Sequence, residues 1–526
     1  MNALIDRDSF FREYDSGYNW NQLHRYELVE DKPMSTALIG WTGFVGSELL
    51  LHMDKVDLYN SSNIHTIRGR EYNRVYFSGL PAEKWKANKH PEDDKKTLDS
   101  ILSLLKTVDI KQFVLISTVD VLDTSGKDYA VHPYGVHRRQ MEEWVETHVS
   151  DHYILRLPAL FGKGLKKNIL YDLIFNNNIE LISSGSEFQW YNISHIHDDI
   201  ELIIRSGRRL THLTSTPICN REIIETFFPE HIRSCNGTSI VRYSCPVDPL
   251  IPRRNILQEI GEYVSYERAI RNLPVTLSIS NIAWDHNHTG DIAKLLRKYR
   301  IQFVELAPTT IAPWGEPIEY PLSVSGLQSI LYNTGIRIFE TPDEFVSHCR
   351  RVARLCNELN GKTLVFGSPN QRHVREGVDI VTYFRQIADI SSEESLQFCV
   401  EPNSKQYGCT WLTNLSDTVE FVRSVDRPNN IQLNVDTGNY IMENDSFVFD
   451  SSSVTLIGNV QVSNEMLLPY SDTSLENRER LKTLVGSIIR LGYNRTISLE
   501  MRKADISTVA RSIDTFVRDV ISCTNL

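Results

Sequence analysis

From residue 274 to the end, short apolar runs alternate with helix-compatible stretches, and there are eight such runs. They are VTLSISNIAW, IQFVELAPT, LQSILYNT, KTLVFGSPN, LQFCVEPN, IQLNVDTGN, VTLIGNVQVSN and RTISLEMR. Strands that alternate with helices pair in parallel and are covered by their crossover helices. Eight βα units over about 250 residues fit a closed (β/α)8 barrel, the TIM barrel. A polar residue stands at the end of nearly every run. That favours the closed barrel over a second open sheet, because barrel strand ends share one mouth.

The first half alternates too. TALIGWTGFVGSELL is an apolar strand that runs into glycines and then a helix, and RVYFSG, KQFVLIST and HYILRLPALFG follow. Between them lie the helical patterns TLDSILSLLKTV and RRQMEEWVETHV. This predicts a Rossmann-like, doubly wound parallel sheet, so the chain is α/β in both halves. Pro and charge in CPVDPLIPRRN mark the junction, and ILQEIGEYVSYERAI reads as a helix. We divide the chain into an N-terminal extension (1–34), a sheet domain (35–245), a linker with a helix (246–273) and a barrel (274–526). The extension is polar and aromatic. It reads equally as an arm on the body and as a partner-binding segment.

Lys plus Arg number 56 and Asp plus Glu 67, a formal net charge of −11. Hydrophobic residues at 41% and charged residues at 23% exclude a disordered chain, a collagen and a disulfide-dense miniprotein. A pI of 5.8 opposes a nucleic-acid coat, which needs a basic face. None of the 8 cysteines pairs at Cys-x-x-Cys spacing, as expected of buried thiols in a reducing compartment. The first residues lack the apolar core of a signal peptide, and no run reaches the ~18 apolar residues of a membrane span. The expectation is a cytoplasmic protein with a small-molecule partner and no nucleic-acid or membrane partner. A homo-oligomer is compatible with this.

Gly40, Gly43 and Gly46 form Gly-x-x-Gly-x-x-Gly between the first strand and its helix. Absent side chains permit the tight turn, and the helix N-terminus with its free N–H groups faces a pyrophosphate. Where an acid would grip a ribose hydroxyl, the chain has Asn60, Ser61, Ser62 and Asn63. Arg68 and Arg70 lie nearby and could meet a 2′-phosphate, which leans the expectation to NADP over NAD.

Gly-x-Thr-Gly-Phe-x-Gly, then FVLISTVDVL, PYGVHRRQMEEW and ILRLPALFGKGLKKN, resembles the extended short-chain dehydrogenase/reductases, the nucleotide-sugar epimerase and dehydratase group. The resemblance covers roughly 35–245. It implies NAD(P) held by Gly40, Thr42, Gly43, Phe44, Val45, Gly46 and Ser117. It also implies that Thr118 and Tyr134 polarise a substrate hydroxyl or carbonyl. The family's lysine, four residues after the tyrosine, lowers the tyrosine pKa and holds the nicotinamide ribose. Here that position is Arg138, a cation with a larger, planar fork.

In the barrel, the strand ends carry Glu305, Asn370, Glu401, Asp436, Gln461 and Glu500. A lone strand-end acid usually caps the next helix. Acids at strands five, six and eight together would repel unless protonated or neutralised, and a divalent metal is the economical neutraliser. Trp284, His286, His288 and Glu305 are candidate substrate binders. The pair His286 and His288 follows the first strand, and exposed loop histidines are the simpler reading of it.

FVELAP, FCVEPN, NVDTGN, NVQVSNE and ISLEMR are similar to the xylose isomerase-like superfamily, the sugar isomerase/epimerase and endonuclease IV-like barrels. The resemblance implies one divalent metal on Glu401, Asp436, Gln461 and Glu500. Gln461 stands where the family has His, and Asn439 replaces a second family His. A neutral amide oxygen favours Mn²⁺ or Mg²⁺ over zinc. The implied chemistry is proton abstraction next to a carbonyl, with Glu401 and Glu500 on opposite faces of the carbon. Together the two resemblances imply a bifunctional enzyme of carbohydrate metabolism acting on a sugar or cyclitol. The alternative is an interaction or assembly protein that binds ligands without turnover, for which Arg138, Gln461 and Asn439 speak. An abasic-site endonuclease is disfavoured, because the strand ends lack its histidines and the pI is acidic.

Overall fold

The computed structural model describes residues 35–122, 132–243, 245, 250 and 253–524. The extension 1–34 lies outside the described residues. In the first half, six strands form one parallel sheet: β1 (Thr36–Ile39), β2 (Val56–Tyr59), β3 (Glu71–Phe77), β4 (Asp109–Thr118), β5 (Asp151–Leu157) and β6 (Leu210–His212). Their order is β2-β1-β3-β4-β5-β6. The chain leaves β1 to one side for β2 and returns to its other side for β3. That reversal is the topological switch point at which open α/β sheets bind ligands. Helices α1 (Gly46–Leu49), α2 (Pro91–Leu105), α3 (Pro133–His148) and α4 (Ile196–Ser206) belong to this half. Proline opens α2 and α3, where a missing N–H costs nothing.

Helix α5 (Arg253–Arg271) leads into the second half. There β7 (Thr276–Ser280), β8 (Phe303–Leu306), β9 (Ser323–Leu327), β10 (Thr363–Phe366), β11 (Gln397–Val400), β12 (Ile431–Asp436), β13 (Ile457–Ser463) and β14 (Thr496–Glu500) close into a barrel in sequence order. Its main outer helices are α6 (Thr289–Lys298), α7 (Pro342–Glu358), α8 (Ile380–Glu393), α9 (Leu415–Val425), α10 (Leu475–Arg490) and α11 (Ile506–Thr524). Seven expected strands fall in their runs. The third does not: the strand is SVSGL, and LQSILYNT mostly follows it as a loop. A Cβ on Gly326 would stand 2.0 Å from Thr363 Oγ1, so β9 needs a glycine there to approach β10. The apolar loop residues Ile330 and Leu331 are buried as packing, which is why they mimic a strand.

The halves share one core. Trp41, Leu49, Leu50 and Ile200 belong to the same buried cluster as Leu296, Tyr299 and Phe516. Ion pairs join them as well: Lys298 to Glu48 at 2.7 Å, Arg511 to Asp54 at 2.7 Å, and Lys163 to Asp514. The cysteines are all free, and all but the half-buried Cys219 are buried. Among the described residues, no helix is long and apolar enough to cross a membrane.

Candidate functional site

Alternation along the strands builds the barrel mouth. On β12, Asn434 and Asp436 share a face; on β13, Asn459, Gln461 and Ser463 do, and these side chains are buried. Register pairs Asn434 with Asn459, Asp436 with Gln461, and Ser463 with Glu500. Glu305 is the last residue but one of β8, and Glu401 follows β11. The mouth therefore gathers four carboxylates, Glu305, Glu401, Asp436 and Glu500, each less than a tenth exposed.

Neutral amides hold them. Asn434 Nδ2 donates to Glu401 Oε2 at 3.1 Å and to Gln461 Oε1 at 2.6 Å. Asn403 and Asn439 donate to Glu401 Oε1. Gln461 Nε2 donates to Glu305 Oε2 at 2.6 Å, and Asn459 Nδ2 to Glu305 Oε1 at 2.9 Å. Asp436 accepts from Ser463 Oγ at 2.6 Å and from the Asn439 N–H at 2.7 Å, so it also caps the short helix Thr437–Met442.

Burial drives the proton affinities. It pushes Glu305 up to about 7 against its hydrogen bonds. It raises Glu401, with the charge of Asp436 adding to the rise. Asp436 is raised by burial in spite of Ser463 and Asn439. Glu500 goes well above the carboxylate range, through burial and then the charges of Glu401, Asp436 and Glu305. The buried Arg372 is the nearby cation, but its guanidinium bonds the backbone carbonyls of Phe366, Gly367 and Glu401. Burial lowers its own pKa.

A divalent cation fits this mouth by charge: Glu401, Asp436 and Glu500 converge there, and burial raises the proton affinity of each. Gln461 is engaged by its neighbours in this arrangement: its Oε1 accepts from Asn434 Nδ2, and its Nε2 donates to Glu305 Oε2. Among the described residues, the one trio of potential ligands within 4.8 Å of one another is His52, His197 and Asp198. At least one mouth carboxylate must therefore turn for three to close on an ion.

Other strand-end candidates lie elsewhere. Asn370 is exposed on a loop, as are His286 and His288. Trp284 is buried, and its indole N–H donates to Thr289 Oγ1 at 3.2 Å. The residues that sequence reasoning missed are Asn403, Asn434, Asn459, Gln328 and Arg372. Polar residues two apart inside an apolar strand, as in Asn434 with Asp436 and Asn459 with Gln461, were the signal that could have found two of them.

At the other site, Gly40 follows β1 with φ +87°, and its N–H donates to Tyr59 O at 2.8 Å. A Cβ on Gly46 would stand 2.3 Å from Gly40 O, so only glycine lets α1 start this close to the strand. Thr42, Phe44 and Val45 are half-buried beside the exposed Gly43. The residues expected to react are committed to protein partners. Ser117 donates to Glu142, which Arg156 holds at 2.6 Å. Thr118 Oγ1 accepts from the Asp120 N–H at 3.1 Å. Arg138 bonds Asp94 and the Pro81 carbonyl, and its guanidinium lies 4.0 Å from the Tyr134 ring centroid. It does pull the Tyr134 hydroxyl down, but burial outweighs it and pushes that group up to about 12. Arg70, expected near a 2′-phosphate, pairs with Asp57 at 3.1 Å. Arg68 is exposed.

No curated protein matches this chain. Solved structures similar to it include D-allulose 3-epimerase from Methylomonas sp., at 14% identity and TM-score 0.35, covering 46% of this chain and 96% of that one. Another is a dTDP-4-dehydrorhamnose reductase from Clostridium acetobutylicum, at 15% identity and TM-score 0.33, covering 45% and 100%. A third is UDP-N-acetylglucosamine 4-epimerase from Bacillus cereus, at 12% identity and TM-score 0.34, covering 45% and 99%. Residues 274–514 match the family model described as xylose isomerase-like TIM barrel, and the closed barrel of the C-terminal half is a domain of that kind.

Proposed function

We propose that this chain is a cytoplasmic, two-site enzyme of carbohydrate metabolism. The barrel moves a proton next to the carbonyl of a sugar or cyclitol, and the sheet domain holds NAD or NADP to oxidise or reduce such a compound. The observation that carries the reading is the convergence of four buried acids whose proton affinities burial raises above the ordinary carboxylate range. Acids tuned in this way can both give and take protons at working pH. Strands five and eight are separated by strands six and seven in the ring, and we assign Glu401 and Glu500 to the two faces of a bound carbon. One takes the proton as carboxylate, and the other returns one as carboxylic acid. Asn403, Asn434 and Asn439 fix Glu401 for that exchange. A Mn²⁺ or Mg²⁺ ion held by Glu401, Asp436 and Glu500 would polarise the substrate oxygens and stabilise the enediolate charge.

The test is proton exchange with solvent deuterium, read by NMR on ketoses and keto-cyclitols given to the full chain with Mn²⁺ or Mg²⁺. Glu401→Gln and Glu500→Gln should each abolish it. Full exchange in both variants refutes the reading. A second reading of the sheet domain has its own support: Arg138 is locked onto Asp94, and Tyr134 keeps its proton. In it, the cradle binds the cofactor without turnover. Thermal protection by NAD(P)H without any change in cofactor absorbance on the same substrates would select it.

A further inference from the structure

The ribose end of the glycine cradle lacks its own acid. Register places Ile39 opposite Tyr59, so Asn60 leaves the sheet beside Gly40, the first glycine of the turn. A carboxylate about 20 residues beyond the turn is what grips an adenosine ribose in such a unit. Asn60 is neutral and 6% exposed, and it is already spoken for. Its Oδ1 accepts from Ser62 N–H at 2.9 Å and from Ser62 Oγ, while its Nδ2 donates to Asp291 Oδ1 at 3.3 Å. Asp291 belongs to barrel helix α6, 231 residues further along the chain.

This contact is built in. At its other end, α6 presents Lys298, whose Nζ meets Glu48 Oε2 at 2.7 Å and Ser47 O at 3.2 Å. That pair is buried on both sides, so α6 is pinned at two points to the β1–α1–β2 unit. Lys294 Nζ also donates to Asp291 Oδ1, at 2.9 Å. Both bonds to Asp291 fall on Oδ1. Among the described residues Oδ2 accepts none, and the side chain is about a quarter exposed, at 26%.

We infer that Asp291 of the barrel completes the dinucleotide cradle of the sheet domain, its free Oδ2 accepting from the adenosine ribose hydroxyls. The inference rests on the sheet domain binding a dinucleotide. It names the specificity residue of that site and makes the domain contact part of the pocket. A carboxylate there accepts a 2′-hydroxyl and repels a 2′-phosphate, so the chain takes NAD(H) in preference to NADP(H). This reverses the lean drawn from Arg68 and Arg70.

The test is titration of the full chain with NADH and NADPH, followed by calorimetry. The parent should bind NADH at least about tenfold tighter than NADPH. Asp291→Asn, which keeps the shape, should lose most of that preference. Adding Asn60→Asp to Asp291→Asn returns a carboxylate to the same junction from the β2 side and should restore NADH binding. A parent that binds both cofactors equally or prefers NADPH overturns the inference, as does an Asp291→Asn variant with the parent's preference. In either case the cradle reading stands. A parent that binds neither cofactor overturns both.

Discussion

Replacing Glu305 with glutamine should change stability in a way that depends on pH. Glu305 is 1% exposed and accepts from Asn459 and Gln461, and burial pushes its pKa up to about 7 from an ordinary 4.5. Between those values the folded chain keeps a proton that the unfolded chain has released. Stability therefore falls as pH rises through this interval, and the loss is complete above it. An interval of about 2.5 pH units at 1.36 kcal/mol each is roughly 3 kcal/mol, an upper figure for one acid among several. Glutamine carries no charge and escapes the loss. Its amide N–H₂ must face one of two donors, at a cost of about 1–3 kcal/mol that does not vary with pH. The variant should thus be less stable than the parent near about pH 5, with the difference swinging in its favour by up to roughly 3 kcal/mol by about pH 8. Urea denaturation of the full chain across that range, in chelator so that no cation intervenes, reads the swing from the unfolding free energy. A stability difference that stays constant with pH refutes the assignment of a raised pKa to Glu305.

Two further substitutions probe the other elements. Lys298→Met leaves Glu48 buried without its cation and should cost about 3–5 kcal/mol, seen as a lower denaturation midpoint. Adding Glu48→Gln should recover part of that loss, and no recovery would show that the lysine acts by packing alone. Gly46→Ala sets a Cβ 2.3 Å from the Gly40 carbonyl and should cost about 1–3 kcal/mol by overpacking. It should also remove thermal protection by NADH, and protection equal to the parent's would show that the turn does not hold the cofactor.

Architecture was legible because periodicity and mouth geometry are local. Each barrel run has to be buried on both faces, so its apolar length betrays it, and Glu401, Asp436 and Glu500 stand where strands end, with Gln461 two residues before one. The strand that escaped, SVSGL, escaped for a packing reason: Gly326 is required by Thr363 of a neighbour far along the chain, and a glycine-and-serine run carries no apolar signature. The chemistry was legible only by residue type. The neutrality of Gln461 and the charge of Arg138 could be read from the sequence, but not their orientation. Gln461 turns its nitrogen to Glu305 because Asn434, two residues before Asp436 on the adjacent strand, claims its oxygen. Arg138 stacks on Tyr134 because Asp94, on a different helix, anchors its fork. In both cases one residue decides what its neighbour offers a ligand, and the deciding residue is distant in sequence. The same logic makes Asn60 informative. A neutral residue at an acid's place reads as a loss until the fold sets Asp291 against it, and a site shared between domains leaves no motif in either.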